Sequence, residues 1–172
     1  MKYVGFESFR DCSSIPSILI PEGVIILEEE SFYICSSAVS VCIESDIDGL
    51  LPRTFGYCSA LKDVDMGDII SLGASCFIND TSLESFTMSD SVRTVGYQVF
   101  SGCRFLYNLS ISPGIEHLGM SVFEGYRSLT KVRLRENLRS VGDYAFRDRP
   151  SFRHPVCNGA PGTVFRDTVG RT

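Results

Sequence analysis

No apolar run in this 172-residue chain is long enough to cross a membrane. The best stretch, Ile18 to Leu27, is broken by Pro21-Glu22-Gly23, whereas a spanning helix needs about 20 consecutive apolar residues. The N-terminus lacks the basic and then hydrophobic segment of a secretory signal. Basic tracts are missing as well. The net charge is −5, and no aromatic residues interleave with clustered lysine or arginine, so nucleic-acid binding is not expected. Catalytic signatures are equally scarce. There is no G-x-S-x-G, P-loop, paired CxxC or HExxH, and the two histidines, His117 and His154, stand apart from one another. The acidic run Glu28-Glu29-Glu30 reads as a solvated face.

What the chain does contain is a period. Phe9, Phe32, Phe55, Phe77, Phe100, Phe123 and Phe146 follow one another at intervals of 23, 23, 22, 23, 23 and 23 residues. A fixed spacing in the twenties means one supersecondary unit stacked on copies of itself. Further columns keep phase with the phenylalanines. Three residues on are Cys12, Cys35, Cys58, Asp80, Cys103, Tyr126 and Arg149; six on are Ile15, Ala38, Leu61, Leu83, Leu106, Leu129 and Phe152. Fifteen on are Val24, Ile47, Ile70, Val92, Ile115 and Leu138. Four residues before the next phenylalanine stands a glycine in Gly5, Gly73, Gly96, Gly119 and Gly142, but Glu28 and Leu51 in two units. The short interval reflects one residue lost between Met66 and Leu72.

Inside each unit the positions nine and eleven after the phenylalanine are apolar with a variable residue between them, as in Ser85-Phe86-Thr87-Met88. That alternation predicts a half-buried strand. The segment that leads to the next phenylalanine is too short and glycine-bound for a stable helix, and reads as an irregular or short extended return. A single coil cannot bury its apolar columns, but stacked coils bury them against each other. The expected fold is therefore a mainly β solenoid of the α/β type, with about 23 residues per coil, one parallel sheet face and irregular returns. Six full repeats with partial end coils occupy residues 1–152, on the order of 30 Å of stacked strands. Residues 153–172 lose the pattern and are expected to form an irregular or flexible tail, with a polar cap as the alternative.

Phe100-Ser101-Gly102-Cys103-Arg104-Phe105-Leu106 and Ser91-Val92-Arg93-Thr94-Val95-Gly96 resemble the leucine-rich repeats of the BspA-like group, and the likeness spans roughly residues 4 to 146. The resemblance implies a cell-surface or secreted adhesion or interaction protein, and a protein partner such as a host or extracellular-matrix protein. An intracellular interaction scaffold is the alternative, and the missing signal segment leaves both a fragment of a longer surface protein and a cytosolic chain open.

Seven cysteines raise the question of bridges or metal. Four of them share one inward column, where a small buried side chain is the expected role; ligands stacked one coil apart do not converge on a tetrahedral point. No metal, cofactor or catalytic residue is expected. Cys42, between Val41 and Ile43, falls on the outward side of its strand. It lies about three coils from His117, roughly 15 Å by strand spacing, too far for a nucleophile and its base.

The outward strand positions supply the candidate binding face. One row reads Ser17, Ser40, Asp63, Ser85, Asn108, Lys131; the next reads Leu19, Cys42, Asp65, Thr87, Ser110, Arg133; a third reads Pro21, Glu44, Gly67, Ser89, Ser112, Arg135. The proposed partner-binding residues are Asp63, Asp65, Ser85, Thr87, Asn108, Ser110, Lys131, Arg133 and Arg135. They run from an acidic patch through a hydroxyl and amide strip to three cations, which would steer an acidic partner in a salt-dependent way.

Overall fold

The computed structural model describes residues 2–125 and 137–147, together with the backbone of the strands Arg133–Leu134 and Val156–Cys157. Two short strands recur in each coil. The odd-numbered strands are the returns: β1 (Tyr3–Val4), β3 (Ile26–Leu27), β5 (Gly49–Leu50), β7 (Ser71–Leu72), β9 (Thr94–Val95), β11 (His117–Leu118) and β13 (Ser140–Val141). The even-numbered strands form the front: β2 (Ser17–Ile20), β4 (Ser40–Ile43), β6 (Asp63–Asp65), β8 (Ser85–Thr87), β10 (Asn108–Ser110), β12 (Arg133–Leu134) and β14 (Val156–Cys157). All pairing is parallel, and each residue pairs with its counterpart one repeat away, as in Ile18 with Val41 and Val41 with Val64. The molecule is a mainly β solenoid with no helix among the described residues.

The return segments are more regular than their composition suggests. Their two-residue strands build a five-stranded sheet in the order β5-β7-β9-β11-β13, so a second parallel face backs the first. The glycine column explains the close approach. A Cβ on Gly96, Gly119 or Gly142 would come within 2.5 to 2.8 Å of backbone atoms of the preceding coil. Where Leu51 replaces that glycine, β5 does not pair with β3, and the return ladder lapses. The front ladder lapses between β6 and β8. Those two strands belong to the units separated by 22 residues instead of 23.

That lost residue falls before Ile69. Ile69, rather than the Ile70 expected from the column, is fully buried, while Ile70 is exposed. The turn closes early because Gly67 takes a left-handed conformation at φ 57°, with its N–H donating to the Asp65 carboxylate at 3.2 Å.

The phenylalanines stack as one column. Successive ring centroids from Phe9 to Phe146 lie 5.0 to 6.3 Å apart with interplanar angles of 3° to 28°. Around each ring the chain makes a corner that no residue type announces. The residues two before and two after the phenylalanine are left-handed. Those that are not glycine, among them Glu30, Ile34, Arg53 and Tyr57, have φ between 52° and 63°. This alternation turns the N–H groups along the stack, so that Glu30, Phe32 and Ile34 donate to the carbonyls of Pro52, Thr54 and Gly56 in the next coil at 2.9 to 3.1 Å. The corner is thus a third coil-to-coil ladder.

The paired strand β14 lies within 153–172, past the point where the sequence reading ended the repeats. Val156 stands 23 residues after Arg133, so strand spacing outlasts the cysteine and glycine columns. Phe152 and His154, like residues 126–132, lie outside the described residues.

Candidate binding face

Alternation along the front strands turns every second side chain inward. Ile18, Ile20, Val41, Ile43, Phe86 and Met88 are buried, and their neighbours project from the sheet. Asp63, Asp65, Ser85, Thr87, Asn108 and Ser110 are all exposed. Register aligns them into rows: Ser40 beside Asp63, Cys42 beside Asp65, Ser85 beside Asn108, and Thr87 beside Ser110. Neighbouring strands lie about 4.8 Å apart, so the strip offers hydroxyl, amide and carboxylate groups at regular intervals. Lys131 and Arg135 lie outside the described residues, and of Arg133 only the backbone, paired with Val156, is described.

Two expectations about polar groups need correction, and one histidine gains a neighbour. Ser112, placed in the third outward row, is buried, and its hydroxyl donates to the Val92 carbonyl at 2.8 Å. Glu30 does not belong to a solvated run. It is buried under the corner, where its carboxylate binds Arg10 and, at 3.1 Å, the Arg53 Nε. Arg10 also lies over the Tyr33 ring, 5.0 Å from its centroid. His117, finally, is not without a partner, because its Nδ1 lies 2.7 Å from the Ser140 hydroxyl on the adjacent return strand.

No third group of a hydrolase site accompanies that histidine–serine pair among the described residues. The pair stands on the exposed return face, and activation of a serine calls for a third group that orients the base and donors that hold an oxyanion. Glu116, the carboxylate next in sequence, is engaged by Arg139 at 3.2 Å. The half-buried Cys42 is no better a nucleophile. Desolvation and the carboxylates of Asp65 and Glu44 push its thiol pKa up, which keeps it protonated. No group of three or more metal-ligating side chains comes together among the described residues.

Two residues beside the strip escaped notice in the sequence. Phe105 and Tyr107 flank the buried Leu106 just before β10 and are 61% and 56% exposed. The signal was present. The position of Phe105 carries Ser14, Ser37, Ala60 and Ser82 in earlier coils, so an aromatic there departs from the column. Exposed aromatic rings next to hydrogen-bonding strands are the usual anchors of protein interfaces.

The profile for the BspA type leucine-rich repeat region matches the chain in six copies, over residues 1–105 and 70–158. No curated protein matches it. Among solved structures, the chain superposes on a leucine-rich repeat protein from Bacteroides ovatus with a TM-score of 0.76 and 21% identity, over 92% of this chain and 49% of that one. A leucine-rich cell surface protein from Faecalibacterium prausnitzii gives 0.81 and 21%, over 92% of this chain and 43% of that one. A leucine-rich repeat protein of T. pallidum gives 0.67 and 20%, over 84% and 73%. The chain therefore spans about half the length of the first two.

Proposed function

Because the chain belongs to the BspA-type leucine-rich repeat family, we propose that it is a non-enzymatic protein-binding module that recognises its partner across the front sheet. The observation that carries this reading is the set of exposed front positions Asp63, Asp65, Ser85, Thr87, Asn108 and Ser110, in register within β4–β6 and within β8–β10, and bordered by the uncovered rings of Phe105 and Tyr107. Short polar side chains on strands hold little rotamer entropy, and a fixed ladder of donors and acceptors suits an extended peptide segment. By their phase in the repeat, Lys131, Arg133 and Arg135 would add positive charge to this face and favour an acidic partner.

The partner class we favour is an extracellular protein of a host or its matrix, with the chain displayed at a cell surface or secreted. Its support is the family and the likeness to a leucine-rich cell surface protein of Faecalibacterium prausnitzii. An intracellular scaffold is the second reading, favoured by the free cysteines Cys12, Cys35, Cys42, Cys58, Cys76 and Cys103.

The test is capture of proteins from matrix extract by the immobilised chain, followed by affinity measurement with each captured protein. Replacing Lys131, Arg133 and Arg135 together by Ser should weaken binding at low salt, and Phe105→Ala with Tyr107→Ala should weaken it at any salt. Affinity unchanged in both variants, with folding intact, removes the front face from consideration. Capture from cell lysate alone favours the scaffold.

A further inference from the structure

Asp80 stands in the column that cysteine fills in the coils on either side of it. The thiols show what this place in the stack requires. Cys35 donates its S–H to the Phe9 carbonyl at 3.1 Å, Cys58 to that of Phe32 at 3.4 Å, and Cys103 to that of Phe77 at 3.0 Å. Each acceptor is the phenylalanine one coil back. By the repeat relation, the counterpart of these acceptors for the Asp80 carboxyl is the Phe55 carbonyl.

A second contact recurs. The sulfurs of Cys35, Cys58 and Cys103 face the backbone N–H of the preceding column residue, which is Cys12, Cys35 and Asp80 in turn. The Asp80 carboxyl faces the N–H of Cys58 in the same way. That N–H is committed to the Phe55 carbonyl at 3.3 Å, and neither carboxyl oxygen of Asp80 has a hydrogen-bond partner. A slot with a carbonyl on one side and an N–H on the other suits a group that donates and accepts at once. A carboxylic acid does both, whereas a carboxylate only accepts and would set negative oxygen against the carbonyl.

The surroundings point the same way. Asp80 is completely buried. The titratable groups that face it are the thiols of Cys58, Cys76 and Cys103, and no cation is among the groups that act on it. Burial pushes its pKa well above the usual carboxylate range, and the Cys58 N–H only partly opposes this. An ionised carboxylate with no cation and only one N–H, itself already committed, is costly in an apolar interior.

The location gives the group consequence. Asp80 joins the Phe55 coil to the Phe77 coil, the two coils whose front strands β6 and β8 do not pair. We propose that Asp80 is a proton-dependent clasp: held in the stack as a neutral acid, it donates its hydroxyl to the Phe55 carbonyl and tightens a junction that lacks a front ladder. The unfolded chain releases this proton at an ordinary carboxyl pKa, below that of the folded state. The clasp's stabilisation is thus fully present below the unfolded value and declines as pH rises toward the folded one.

Urea unfolding of the full chain and of Asp80→Cys, under reducing conditions between about pH 5 and pH 8, tests the clasp. The ratio of the two unfolding constants should rise by as much as about tenfold per pH unit, with Asp80→Cys the more stable at the alkaline end. Parallel profiles overturn the proposal. If Asp80→Cys does not fold, the carboxyl carbon spectrum of the ¹³C-aspartate wild type decides at about pH 7. One resonance in the protonated position supports the clasp, and full ionisation overturns it.

Discussion

Phe9, Cys12 and Ile15 in the first coil are half-buried, whereas Phe100, Cys103 and Leu106, the same columns four coils later, are completely buried. The residues are nearly alike, so the difference lies in their neighbours. Phe9 stacks on Phe32 at 5.0 Å, and its other side lines an apolar recess with Val4, Ile15, Ile18 and Val24. Phe100 is held between Phe77 at 5.7 Å and Phe123 at 6.3 Å, with the edge of Phe86 at 4.7 Å. In a stack, burial comes from the coils on both flanks and not from the side chain itself.

The largest effect that sharpens this contrast is truncation of the ring column. Phe100→Ala should lower stability by about 3–5 kcal/mol, as for a fully buried aromatic ring. Phe9→Ala, with one flank open, should lose less than half as much, about 1–2 kcal/mol. Urea unfolding of the two variants measures both, and equal losses would mean that the two regions are packed alike.

The glycine column gives the next contrast. A Cβ on Gly119 would meet the Gly96 carbonyl oxygen at 2.5 Å, while a Cβ on Gly5 meets only the Ser8 hydroxyl, at 3.2 Å. Gly119→Ala should therefore cost about 1–3 kcal/mol through overpacking against backbone that cannot retreat. Gly5→Ala should stay below about 1 kcal/mol. Circular dichroism melts of the pair would show it, and similar midpoints would remove close approach as the reason for the glycines.

The repeat and its apolar columns were legible in the sequence because one buried environment recurs every coil and admits few side-chain types. The outward positions Asp63, Asp65, Ser85, Thr87, Asn108 and Ser110 were legible for the same reason, since a strand with every second side chain buried leaves the rest outside. What stayed hidden depends on neighbours far along the chain or on backbone alone. Glu30 looks solvated beside Glu28 and Glu29, and is buried because Arg10 and Arg53 meet it across coils. Ser112 looks outward by phase, yet its turn brings it under the Val92 carbonyl. The return strands are two residues long, too short for alternation to register. The left-handed corners carry Glu, Arg, Ser, Gln, Tyr and Ile as well as Asp11, Asn79, Gly102 and Gly125, so only some of them hold a residue that favours the conformation.

Those corners supply the smallest expected effect. Two residues after the phenylalanine, the later coils carry Gly102 and Gly125, while an earlier coil carries Ile34 at φ 63°. A β-branched residue in that region is held against its own sterics, and the conformation costs about 1–2 kcal/mol in an L-residue. Ile34→Asn should recover much of this, because asparagine tolerates the left-handed region, and should lose about 1 kcal/mol of half-buried apolar contact. The net is a gain of at most about 1 kcal/mol, read as a small rise in unfolding midpoint. A fall instead would show that at this corner the side chain's packing between Cys12 and Cys58 coils outweighs the strain of its backbone.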